Sequence, residues 1–102
     1  MTTPVIFRKE FGDSVIAFFP TLPGSMNIDT CQCYTHIGQH SSATKDYYVK
    51  STEPAEFTEY ESLLNELRFD IGYDDLVVRK NWIHQFDEDR IRQLKELRPY
   101  GN

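Results

Sequence analysis

Two kinds of apolar spacing run along this chain, and they change places near its middle. Up to residue 50 the apolar residues fall in short β-branched and aromatic runs; from residue 57 they recur every three or four positions. Pro4-Val5-Ile6-Phe7-Arg8 reads as a strand, Phe11-Gly12-Asp13-Ser14 as a turn, and Val15-Ile16-Ala17-Phe18-Phe19 as a second strand ended by Pro20. Both faces of that second strand are apolar, which predicts a central strand with something packed on each side. After a loop over 21–25, a third strand over 29–34 puts Cys31 and Cys33 on one face and Thr30, Gln32 and Tyr34 on the other. Residues 37–44 have the Gly, Ser, Gln and His content of a loop. Tyr47-Tyr48-Val49-Lys50 reads as a fourth strand or as a short bridge into the helical half of the chain.

The second half is helical in pattern. Phe57, Tyr60, Leu63, Leu64, Leu67 and Ile71 form one apolar stripe, and Glu56, Glu59, Glu61, Asn65, Glu66 and Arg68 occupy the remainder. Pro54 suits a first turn and Thr58 with Glu61 has capping-box spacing, so the helix starts between them; Gly72 is a natural terminator. Leu76-Val77-Val78-Arg79 returns as a strand, and Asp87 is placed to cap a last helix built on Ile91, Leu94 and Leu97. The order predicts an α+β fold: a small antiparallel sheet of about four to five strands, the 57–71 helix packed on one face, and a short C-terminal helix. At 102 residues this is one domain, 1–102. Trp82, Phe86 and the last helix are expected to cap the sheet; the alternative is an exposed apolar patch that pairs two copies of the chain as a homodimer.

Charge narrows the partners. Residues 1–50 are balanced, whereas residues 51–102 carry seven Lys/Arg against twelve Asp/Glu, so the whole net charge of −5 lies in the second half. A nucleic-acid binder needs a basic face for phosphate contacts, so nucleic acid is not an expected partner. The longest apolar run, Val15-Ile16-Ala17-Phe18-Phe19, is far too short to span a bilayer. Met1-Thr2-Thr3-Pro4-Val5 lacks the basic and apolar regions of a signal peptide. Two cysteines two positions apart make no disulfide framework. The expected location is cytoplasmic.

Candidate chemistry is concentrated in Cys31-Gln32-Cys33-Tyr34-Thr35-His36-Ile37-Gly38-Gln39-His40, which holds both cysteines and two of the three histidines. As a metal site, Cys31, Cys33, His36 and His40 supply two thiolates and two imidazoles, a donor set that suits zinc. The alternative is a pair of small buried thiols on a strand and two imidazoles that tie down a loop. For catalysis, Cys33 and His36 stand at an odd offset, which puts them on opposite faces of an extended strand. Ser41 and Ser42 beside His40 lack a visible orienting carboxylate, and no phosphate-cradling glycine loop, H-E-x-x-H or G-x-S-x-G occurs. No catalytic residue is assigned and no cofactor is expected, zinc on the 31–40 segment being the alternative. The remaining reading is a contact surface. Tyr34, His36, Gly38, Gln39, His40 and Ser41, on a polar segment anchored to a sheet, can offer hydrogen bonds to a protein partner.

The strings Phe7-Arg8-Lys9, Val15-Ile16-Ala17-Phe18-Phe19-Pro20, Tyr34-Thr35-His36-Ile37-Gly38-Gln39-His40, Tyr60-Glu61-Ser62-Leu63-Leu64-Asn65-Glu66-Leu67 and Gly72-Tyr73 occur in this order. In this the chain resembles a family of small proteins carried by bacteriophages, prophages and plasmids, over roughly residues 5–80. His-Ile-Gly-Gln-His is the most specific piece, and the helical extension over about 82–98 lies beyond what the family defines. The family has no established activity. The resemblance implies an accessory protein of a mobile element, one that binds and modulates a host or competitor protein.

Overall fold

Residues 2–12 and 14–97 are described by the computed structural model. Strand β1 (Thr3–Lys9) and strand β2 (Val15–Pro23) form an antiparallel hairpin, with Ile6 opposite Phe18 and Lys9 opposite Val15. Asp13 of the expected turn lies outside the described residues. β2 does not end at Pro20 but continues to Pro23. Its register slips on the way, so that Phe19 faces Gln32 and Pro23 faces Cys31. Proline has no N–H for the ladder, so pairing lapses there and the strand bulges instead of stopping.

Strand β3 (Thr30–Thr35) forms as expected, but the next two elements do not. Residues 39–44, read as loop, are strand β4 (Gln39–Thr44), and all six pair with β3. Hydrogen bonding to β3 supplies the order that these polar side chains do not, and their polarity suits an edge strand wetted on its free side. Gly38, in the left-handed region at φ 69°, helps close the hairpin, and the His36–Ile37 peptide is cis. Residues 47–50, read as strand or bridge, belong to helix α1 (Lys45–Ser51). Thr44 caps it, its hydroxyl accepting the Tyr47 N–H at 3.0 Å, and Asp46 and Lys50 stand at the ends the helix dipole favours.

The pair Glu53–Pro54 forms the short strand β5, and helix α2 (Phe57–Asn65) follows. Glu56 caps α2, and the Glu59 carboxylate accepts the Glu56 N–H at 2.8 Å; the capping pair is therefore 56 and 59, not Thr58 and Glu61. The helix continues as a π-helical turn, Glu66–Ile71, and ends at Gly72 with φ 101°, whose N–H donates to the Leu67 carbonyl at 3.0 Å. The wider turn rotates Ile71 off the apolar stripe, so it is exposed while Leu63, Leu64 and Leu67 are buried. Strand β6 (Leu76–Val78) leads to helix α3 (His84–Glu96), which starts ahead of Asp87 and holds that residue in its first turn.

The strand order is β4-β3-β2-β1-β5, with β6 added parallel to the start of β1. The architecture is α+β as expected, with one parallel pair in an otherwise antiparallel sheet. The outer edge of β1 is thus shared: β6 runs along Thr3 to Val5 and β5 takes Arg8 and Lys9. The two apolar faces of β2 each meet a partner layer. Ala17 and Phe19 pack with Val5, Phe7, Leu63, Leu64 and Leu67 under α2, and Ile16 and Phe18 pack with Ile6, Cys31, Cys33, Tyr48 and Phe86 under α1 and α3. Trp82 joins the second cluster against Tyr48, and Leu94 is also buried, so the last helix covers the sheet. Arg90 of α3 is buried as well. Its guanidinium donates to the Pro20 carbonyl at 2.9 Å, to the Ile28 carbonyl at 3.3 Å and to Asp87 Oδ1 at 2.9 Å. Of the described helices, none is long and apolar enough to cross a membrane.

Candidate functional site at the β3–β4 hairpin

Strand alternation sends Tyr34 to the α2 face, where its ring is fully buried while its hydroxyl reaches the hairpin tip. That hydroxyl donates to the Glu66 carboxylate on the π-helical turn and accepts the Gly38 N–H at 2.9 Å. Glu66 also takes the Nδ1 of His36. The Tyr34 hydrogen bond, reinforced by that of His36, outweighs burial and holds the Glu66 carboxyl below the usual carboxylate range. Tyr34 moves the other way, its phenol raised by burial and by the neighbouring Glu66. An ionised Glu66 can only accept, so His36 Nδ1 is the donor in that contact. Nε2 faces the Ser62 Oγ at 3.4 Å. The His40 ring stands edge-on to Tyr34, with centroids 4.7 Å apart.

One anchored tip results. Tyr34, His36, Gly38 and His40 come together on the α2 face. Gln39 and Ser41 alternate to the opposite face, where Ser41 Oγ lies 3.1 Å from Cys33 Sγ. Ile37 stands at the apex, 85% exposed, and residues 36–42 are all exposed. The sheet divides the four residues considered as zinc ligands. Cys31 and Cys33 lie in the cluster under α1 and α3, whereas His36 and His40 lie on the α2 side. Among the described residues, no three His, Cys, Asp or Glu converge as a metal-binding group. Burial pushes the Cys31 thiol up to about 12 and raises Cys33 too, so both remain protonated thiols at neutral pH.

Ser62, His36 and Glu66 stand in the order hydroxyl, imidazole, carboxylate, which raises the question of nucleophilic catalysis. Ser62 sits inside α2, where backbone N–H groups are committed to helical hydrogen bonds. The amides beside Ser62 in its own helix are therefore not free to stabilise an oxyanion, the largest single requirement of acyl transfer. The geometry fits Glu66 and Ser62 as braces that fix the His36 ring. Neither stands out in the sequence as a site residue. The available signal is position: Glu66 borders the buried stripe, three residues after Leu63 and one before Leu67, instead of lying on the solvated face.

The depressed Glu66 carboxyl makes a signed prediction. A group whose folded pKa is lowered stabilises the fold above its unfolded value, and that contribution disappears as pH falls through the folded value. Glu66→Gln should therefore unfold at a lower urea concentration than the parent at neutral pH. The gap should close as pH drops below the ordinary carboxylate range, about pH 4. A gap that stayed constant from neutral to acid pH would mean that the Glu66 charge does not hold the tip.

The chain matches no family model, no curated protein and no solved structure.

Proposed function

We propose that this chain is a non-enzymatic binding protein of the mobile-element accessory type, acting on a host or competitor protein through the β3–β4 hairpin tip. One observation carries the reading: the exposed apex around Ile37 is held from behind by the Tyr34–Glu66–His36 network and by the Gly38 N–H. A surface loop fixed in one conformation loses little entropy when it docks, which is the physical requirement of a recognition surface. Gln39 and Ser41, exposed and without ring packing, then supply polar contacts beside an apolar apex. The resemblance to phage- and plasmid-borne proteins supports the biological setting.

The test is comparative capture from a bacterial lysate with the immobilised protein and two variants. Ile37→Asp with Gln39→Ala should abolish a band that the parent retains, while Lys95→Ala on α3 should leave it. Since residues 37 and 39 are exposed, both proteins should melt within about 2 °C of the parent, a shift of well under 1 kcal/mol. Capture that is indifferent to the tip, or that fails alike in the α3 variant, would move the binding surface elsewhere.

A further inference from the structure

At the opposite edge of the sheet from β4, a crevice opens where β1 gives up one neighbour and takes the other. Val5 accepts the Arg79 N–H at 2.8 Å on the β6 side, and Phe7 accepts the Ala55 N–H at 3.4 Å on the β5 side. The two segments diverge between these points. The space left has a volume of about 340 Å³, within the size range of small-ligand sites. Alongside Pro54, its apolar lining is Phe7, Ala55, Phe57, Tyr60 and Val78. Three of these are rings in a fixed arrangement: Phe7 and Tyr60 stack at 4.3 Å and 4°, and Phe57 meets Tyr60 edge-on at 5.4 Å. Phe57 remains 53% exposed although it begins the apolar stripe of α2, so an aromatic face is left in water there.

The rim carries Glu56, Arg79, Lys80 and Asn81. Arg79 is engaged elsewhere, its guanidinium 5.5 Å from the Phe86 ring centroid. Lys80 has no ion-pair partner among the described residues, in a chain whose net charge is −5. A flat ring would fit the aromatic lining, an anion would pair with Lys80, and the Asn81 amide can donate to the same group. Glu56 on the same rim opposes a second negative charge, which favours a carboxylate over a phosphate. We infer that the β5–β6 crevice binds a small planar aromatic carboxylate, with Phe57 and Tyr60 taking the ring and Lys80 the carboxylate. This site is separate from the hairpin tip and does not depend on it.

The test titrates three probes into the intact protein and follows backbone amide resonances. Indole-3-acetate should shift residues 55–57 and 79–81 saturably, with a Kd in roughly the 10 μM to 1 mM range. Indole-3-ethanol, the same ring without the charge, should bind about tenfold more weakly. Lys80→Glu should bring indole-3-acetate down to the level of the alcohol, and Phe57→Ala should weaken both, the two positions being exposed enough to leave the fold intact. No saturable shift, equal binding of the acid and the alcohol, or a preference for adenosine monophosphate would each overturn the assignment.

Discussion

Replacing Arg90 by methionine should lower the unfolding free energy by about 3 kcal/mol at neutral pH, read from the urea midpoint. Methionine keeps an apolar stem in the cluster beneath Trp82 and removes only the guanidinium. What is lost is a buried donor that joins three parts of the chain: the Pro20 carbonyl in the β2 bulge, the Ile28 carbonyl in the loop before β3, and Asp87 in its own helix. The buried Pro20 carbonyl loses its donor, at about 1–3 kcal/mol for an unsatisfied buried polar group, and the carbonyl of the more exposed Ile28 loses a weaker contact. Asp87 is less affected. Burial raises its carboxyl, but hydrogen bonds from Lys45, Arg90 and Trp82 outweigh that and hold it low, and two of the three survive the substitution. Arg90→Lys should recover only part of the loss, because an ammonium lacks the planar fork that reaches both carbonyls and Asp87 together. A methionine variant within about 1 kcal/mol of the parent would show that water satisfies those carbonyls instead.

Tyr34→Phe should cost about 2 kcal/mol, and its signature should be local as well as global. The ring stays and so does its packing under α2; only the hydroxyl goes. That oxygen is the node of the tip, donating to Glu66 and accepting from Gly38, so its removal frees the Gly38 amide and takes one hydrogen bond from the carboxylate. Amide exchange at Gly38 should accelerate more than at residues 31–34 of β3. The Glu66 carboxyl should relax upward, shifting the acid unfolding limb to higher pH. A stability change under about 0.5 kcal/mol with unchanged exchange at Gly38 would remove the hydroxyl from the account of how the hairpin is held.

Long periodic elements can be read directly from the residues, and short elements defined by pairing cannot. Leu63, Leu64 and Leu67 announce α2 because burial at helical spacing leaves a mark in the sequence whatever the partner. Ile16 to Phe19 likewise announce a strand covered on both sides, and the structure places α2 on one face and α1 with α3 on the other. β4 leaves no such mark. Gln39, His40, Ser41 and Ser42 are ordered by the backbone of β3, and backbone pairing is invisible to side-chain pattern. In α1 the single buried residue, Tyr48, cannot establish a period, and the one local cue is Thr44 in capping position ahead of Tyr47. The candidate site divides in the same way. Its hairpin residues stand out by composition, whereas Glu66 and Ser62 reach it from a helix more than twenty residues away in sequence. The opposite-face placement of Cys33 and His36 follows from alternation alone, and the structure has it.

The sharing of β1's outer edge has a consequence for synthesis on the ribosome. β1 meets β2 at once, but its other side waits for Glu53 and Pro54 and then for Leu76 to Val78. The face of the sheet that carries Phe18 waits longer still, since the bond from Arg90 to Pro20 spans 70 residues. At about 5–20 residues per second, that is several seconds in which an apolar strand has its hairpin partner but no roof. Cys31, Cys33 and Tyr48 emerge in that interval and cover part of Phe18 before α3 arrives. The order of elements along the chain thus covers part of the Phe18 face early and leaves its closure to the final helix.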